Sequence, residues 1–186
     1  SNLPSDGSVS PGLDETVFYE PHDTNDPQAM HLVVVLIDDA TGSLKIRDYF
    51  TSDDCGHIIN PMIVEGQVHG GLAQGIGQAT MEHVIYDEGQ LLSGSFLDYA
   101  MPRASDMPER LSLSFIDDIP CPSNILGVKG GSETGTIGPP AAIGNAVVDA
   151  LWHLGVRHVE LPITSQNVWL ALENAKTLGA EDDKPT

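Results

Sequence analysis

The stretch Gly66-Gln-Val-His-Gly-Gly-Leu-Ala-Gln-Gly-Ile-Gly-Gln78 holds five glycines in thirteen residues. At about 100° per residue, Val68, Leu72, Ile76 and Ala79 fall on one apolar stripe. Gln67, Gln74 and Gln78 fall within roughly 40° of one another on a second face. Gly66, Gly70 and Gly77 flank the glutamines on one side, Gly71 and Gly75 on the other. The period predicts a helix from about Met62 to His83. Its glycines cost roughly 5 kcal/mol of helix propensity, which tertiary contacts must offset. Glycine admits close approach of a second backbone or of a ligand, and an amide both donates and accepts hydrogen bonds. Two readings follow: tight helix packing with solvated glutamines, or glutamines presented to a flat polar heterocycle.

Outward from this helix the pattern is mixed. His31 to Asp38 is a β-branched run read as a buried strand, Asp39-Ala-Thr-Gly42 is turn chemistry, and Ser43 to Phe50 alternates, so the three predict a hairpin. Ile85-Tyr86 and Leu91-Leu92 around Asp87-Glu-Gly89 predict a second hairpin, and Leu111 to Ile116 another strand. Pro139 suits the first turn of a helix running to about Leu154 and closed by Gly155. Thr164 or Ser165 suits the cap of a last helix ending near Lys176. The order β-β-α-β-β-β-α-α predicts an α+β fold: β-hairpins and a mixed sheet packed with one long Gly-rich helix and two C-terminal helices. Residues 1–28, punctuated by four prolines, read as an extended arm, 29–178 as the compact domain and 179–186 as a flexible tail. Trp152 and Trp169, on amphipathic helices, read as core.

A second unusual stretch is Gly127-Val-Lys-Gly-Gly-Ser-Glu-Thr-Gly-Thr-Ile-Gly-Pro-Pro140. It lacks the spacing of a phosphate loop. Its one acid, Glu133, is flanked by small residues and can approach a reacting group unobstructed. Shielded from water, such a carboxylate moves toward the range useful for a general base; on the surface it is a solvated loop residue. Lys129 is either its ion-pair partner or solvated. Cys55 and His57 read as a buried thiol beside a surface histidine, and His69 as a packing or surface residue.

Charge excludes some partners. Asp and Glu number 27 against 8 Lys and Arg, a net charge of -19. A phosphate-tracking surface needs clustered Lys and Arg, so neither nucleic acid nor an anionic membrane is expected. The acidity reads as a solvating surface or as a face for a basic partner. Two cysteines without a CxxC suit a reducing compartment. The cytoplasm is therefore expected, with the periplasm left open.

Asp54-Cys-Gly56, Asn60-Pro61, the Gly66–Gln78 helix, Asp98-Tyr-Ala-Met-Pro102 and Gly127-Val-Lys-Gly-Gly-Ser-Glu133 occur in that order. The series resembles the C-terminal region of the molybdopterin-binding large subunit of the xanthine dehydrogenase, aldehyde oxidase and carbon monoxide dehydrogenase family. The likeness runs from about Phe18 to Ala175. It implies a molybdenum-cofactor-binding domain and water-derived hydroxylation of an aldehyde, N-heterocycle or related small molecule at a molybdenum–pyranopterin, with the cytosine dinucleotide form left open. It implies Glu133 as general base and Gln74, Gly75, Gly131 and Ser132 as cofactor-binding residues, with no protein ligand to the metal. Many members carry Gly where this chain has Ser132. The family's large subunit is several times longer, so the resemblance implies an expressed fragment or a split subunit, inactive alone. Its partners would be the remainder of the molybdenum subunit or a complementary chain, with iron–sulfur and FAD groups in further subunits or domains. A non-catalytic assembly or interaction domain of the same fold is the alternative.

Overall fold

The computed structural model describes residues 12–13, 16–20 and 23–182. Of the expected arm, 1–11, 14–15 and 21–22 lie outside the described residues, as does 183–186 of the expected tail. Two strands open the fold, β1 (Gln28–Ile37) and β2 (Leu44–Asp54). Their turn closes as Asp38 Oδ1 accepts from the Ala40 and Thr41 amides, with Gly42 at φ +71°. β5 (Arg110–Ile116) adds to β2 in parallel, giving a mixed sheet of order β1-β2-β5. The β1–β2 register shifts at Val34/Val35, where Arg47 is the extra residue. A bulge of this kind re-aims the strand, so Ile46 before it and Tyr49 after it both enter the core.

The long helix α1 spans Pro61–Thr80. Asn60 caps it, its side chain accepting from the Ile63 amide, and Pro61 takes the first position. It ends three residues earlier than expected, where the Thr80 hydroxyl turns back to the Ile76 carbonyl at 2.8 Å. Val68, Leu72, Ile76 and Ala79 are buried, as the periodicity requires, and Gln67, Gln74 and Gln78 are exposed. The second hairpin is minimal: β3 (Tyr86–Asp87) pairs with β4 (Gln90–Leu91) across Glu88 and Gly89, both at positive φ. That is the backbone of a tight hairpin turn.

α2 spans Thr134–Leu151 and begins five residues before the expected start at Pro139. Pro139 and Pro140 thus lie inside it. Its first turn closes ahead of them, the Glu133 carbonyl accepting from the Thr136 and Ile137 amides, both at 3.1 Å. Burial of that turn against α1 overrides the propensity argument. A β-carbon placed on Gly135 would lie 2.6 Å from the Val68 carbonyl oxygen, and one on Gly75 2.7 Å from the Pro139 ring. Gly71, Gly75 and Gly135 are therefore the surfaces on which the two helices touch. Gly66 and Gly70 have open space beside them.

α3 (Ser165–Asp182) continues past Lys176, and Thr164 caps it by accepting from the Asn167 amide. Val168 and Leu172 bury its apolar edge. The expectation that Trp152 and Trp169 are core is corrected: they are 55% and 42% exposed. Trp152 lies in a 3-10 turn after α2 with the Arg157 guanidinium 3.8 Å over its ring, and Trp169 lies about 100° around α3 from Val168. Among the described residues no helix is long and apolar enough to cross a membrane.

Glycines at the α1–α2 contact and glycines beside open space predict opposite responses. Gly135→Ala is expected to destabilise the chain by roughly 1–3 kcal/mol through overpacking. Gly70→Ala, with nothing for its methyl to meet, is expected to be neutral or to stabilise by up to about 1 kcal/mol. Urea unfolding of the two variants measures both signs.

Candidate active site

The glycine loop before α2 is held by strand-like bonds rather than left free. Gly56 and Val128 form an antiparallel bridge. The Gly127 carbonyl accepts from the His57 and Cys121 amides, and the Lys129 amide donates to the Cys55 carbonyl, all at 2.9 Å. Gly56 and Gly127 both adopt positive φ, +61° and +68°, and a β-carbon on Gly56 would strike the Gly127 carbonyl. Asn25 holds the far side, its carbonyl accepting from the Gly130 amide at 2.8 Å.

A nearly buried ion pair reinforces this contact. Lys129 Nζ donates to Asp54 Oδ2 at 2.6 Å, and the Gly56 amide donates to Asp54 Oδ1 at 3.0 Å. The lysine first, then the amide, hold the Asp54 carboxyl below the usual carboxylate range. Lys129 is thus the partner of Asp54 and not of Glu133. The free thiol of Cys55 is buried against Gly131. Burial, then the carboxylates of Asp53 and Asp54, push that thiol up, so it stays protonated and unreactive. His57 and His69 are exposed.

The pinned loop delivers its end to α1. A shallow depression of about 470 Å³ is lined by apolar Cys55, Ile58, Ile63 and Val64, and by Gln67, Gly131 and Ser132. Glu133 follows at the N-terminal cap of α2, with φ -111°, an exposed side chain and no capping hydrogen bond of its own. Of the two environments considered for the Glu133 side chain, shielded or solvated, this chain shows the solvated one. Gln74 stands on the glutamine face two turns beyond Gln67, outside the depression. Gly75 is turned into the α1–α2 contact. Gln67 is the glutamine nearest the loop, a ranking the helical face could not supply because it treats all three alike. Asp98-Tyr-Ala-Met-Pro102 serves the other end of α1: Tyr99 hydrogen-bonds Glu82, and Pro102 packs on Gly77.

Gly66 and Gly70 leave open space beside the exposed Gln67 and Gln74, and Gly131 and Ser132 line the depression with Gln67. Among the described residues no three His, Cys, Asp or Glu side chains are grouped to hold a metal. Residues 5–108 match the family model described as the molybdopterin cofactor-binding domain. The chain belongs to that family. Its relatives include the carbon monoxide dehydrogenase large chain of Hydrogenophaga pseudoflava, 39% identical over 166 residues, which cover 89% of this chain and 20% of the relative. The nicotine 6-hydroxylase large subunit of Paenarthrobacter nicotinovorans is 40% identical over 177 residues, covering 93% and 21%. The solved carbon monoxide dehydrogenase of Oligotropha carboxidovorans superposes with a TM-score of 0.76 at 35% identity, over 82% of this chain and 19% of that one. The chain thus spans about a fifth of the length of these relatives.

Lys129→Met leaves the Asp54 carboxylate unpaired. A depressed carboxyl contributes stability that is fully present above its unfolded value, about 3.9, and is lost as pH falls through the lower folded value. The variant is therefore expected to be less stable by about 1–3 kcal/mol at pH 7, with the gap narrowing below about pH 4. Thermal unfolding of both proteins from about pH 7 down through the carboxylate range measures it.

Proposed function

We propose that this chain forms the C-terminal part of a molybdenum hydroxylase active site and supplies its general base, Glu133. The observation that supports the reading is that Gly131 and Ser132, on a loop pinned to β2 and followed directly by Glu133, line one depression with Gln67 of α1. When bound, the molybdenum–pyranopterin supplies the redox chemistry by which oxygen from water enters a substrate carbon. Gln67 and Gln74 offer amide donors and acceptors along one edge, and Gly66 and Gly70 let a planar group lie close to the helix. Gly131 and Ser132 offer backbone and hydroxyl donors at the other edge. Glu133 accepts a proton at its carboxylate as the water-derived oxygen becomes nucleophilic, and releases it to solvent after turnover.

The exposure of Glu133 and of large apolar side chains supports a site completed by further polypeptide. Met62, Phe96, Leu97 and Ile125 all stand in solvent, an arrangement typical of surfaces that are covered in the working assembly. The remainder of a molybdenum subunit is the proposed cover, with iron–sulfur and FAD modules beyond it, in the cytoplasm. The substrate is an aldehyde or nitrogen heterocycle, the second class supported by the name of the nicotine 6-hydroxylase relative. The cytosine dinucleotide form of the cofactor belongs to this proposal as well.

Glu133→Gln keeps size and hydrogen bonding but accepts no proton. In the assembled enzyme it is expected to lower kcat by roughly 10² or more, with cofactor content near wild type. Single-turnover reduction at equal molybdenum occupancy reads this; a variant reduced at the wild-type rate removes Glu133 from the mechanism.

A further inference from the structure

Behind the cap of α2 lies a buried polar cluster that no catalytic role has yet absorbed. Tyr49, Thr51 and Asp53 alternate on one face of β2 and are buried. His31 of β1 pairs with Thr51 in the register, so Tyr49 and Asp53 are its two diagonal neighbours on that face. The His31 ring lies flat on Gly138, one turn along α2 from Thr134: a β-carbon on Gly138 would sit 2.5 Å from the ring. Strand and helix thus bring His31, Asp53 and Thr134 to one buried place. Burial holds the imidazole below its ordinary value, against the opposing pull of Asp53 and of the Thr134 backbone.

Half of this cluster is satisfied. Thr51 Oγ1 donates to Asp53 Oδ2 at 2.7 Å, and Tyr49 Oη lies 2.8 Å from His31 Nδ1. With the phenol as donor in that pair, the ring proton stands on Nε2. The other half is not: Asp53 Oδ1 and Thr134 Oγ1 are buried and make no hydrogen bond within the protein, and the buried His31 Nε2 has only the Thr134 backbone nearby, without good hydrogen-bond geometry. Buried polar atoms are rarely left so, and a carboxylate oxygen least of all. One acceptor, one hydroxyl and one ring N–H are the partners that a single internal water takes, at about three bonds per molecule.

We propose that Asp53 is a positioning residue for Glu133, acting through one buried water shared with His31 Nε2 and the Thr134 hydroxyl. The water accepts from Nε2 and donates to Asp53 Oδ1, and its remaining hydrogen-bonding capacity holds Thr134. Thr134 is the first residue of α2 and is joined directly to Glu133. Anchoring its side chain to the sheet fixes the turn whose cap carries the carboxylate, against the fraying natural to a helix end. The proposal rests on the reading of Glu133 as base.

The test uses the assembled enzyme at equal molybdenum content. Thr134→Val is expected to slow single-turnover reduction about tenfold with KM within about twofold, since small misplacement of a catalytic group is costly. Thr134→Ser restores the rate. In a Glu133→Gln background Thr134→Val adds nothing further, whereas a merely structural lesion would add. Independently of activity, hydrogen exchange at the Thr136 and Ile137 amides is expected to quicken in Thr134→Val and not in Thr134→Ser. A wild-type rate with unchanged exchange overturns the proposal, as does an equal loss in both backgrounds. If Glu133→Gln is slow and Thr134→Val is not, the positioning role alone fails; if Glu133→Gln is itself unimpaired, the base reading fails and takes this one with it. Should Thr134→Val not assemble, a high-resolution crystal structure of the wild-type enzyme decides: a water within hydrogen-bond distance of Asp53, Thr134 and His31 supports the proposal, and its lack overturns it.

Discussion

The crossing of α1 over the first turn of α2 is the constraint from which the rest of this structure follows. Gly71 and Gly135 meet so closely that a β-carbon on Gly71 would lie 3.0 Å from the Gly135 α-carbon and from the Thr136 amide nitrogen. No side chain can be interposed there, which is why glycine stands at Gly71, Gly75 and Gly135. The propensity cost, about 1 kcal/mol for each glycine, is offset by backbone packing and by the buried stripe of Val68, Leu72 and Ile76. The crossing also fixes where α2 begins, and so where the carboxylate at its cap stands relative to the glutamine face.

The loop leading to that cap is fixed from the other direction. Asp54-Cys-Gly56 ends β2 and receives Gly127-Val-Lys129 by a bridge, two glycines at positive φ and a nearly buried ion pair. A loop rich in glycine is ordinarily mobile. Here its glycines serve close approach, and the sheet sets its path. The short polar motifs of the sequence are therefore halves of contacts: each glycine-bearing segment is shaped to receive another.

Much of this was legible from the chain. Period 3.6 over residues 66–78 fixed both the buried stripe and the glutamine face, and turn chemistry placed both hairpins. The residues that misled were those whose partners are distant in sequence. Pro139 is a good first-turn signal, yet α2 starts earlier because Gly135 is buried under α1. Lys129 lies four residues from Glu133, yet it bonds to Asp54, seventy-five residues away. Trp152 looked apolar and proved to be a platform for Arg157. Gln67 and Gln74 share a helical face, and only the path of the loop distinguishes them. The alternation Tyr49-x-Thr51-x-Asp53 was a readable sign of polar groups on a buried strand face, although its partner His31 is fixed only by the register.

Under the proposed function the chain is one portion of a composite cofactor site, with Glu133, Gln67 and Gln74 exposed where further polypeptide would close over them. Molybdenum and pterin analysis tests this most directly, comparing the chain purified with its native neighbours and the chain purified alone. The account predicts stoichiometric molybdenum and pterin in the complex and essentially none in the isolated chain. A complex competent to assemble but devoid of both, or an isolated chain that retains both, would contradict it.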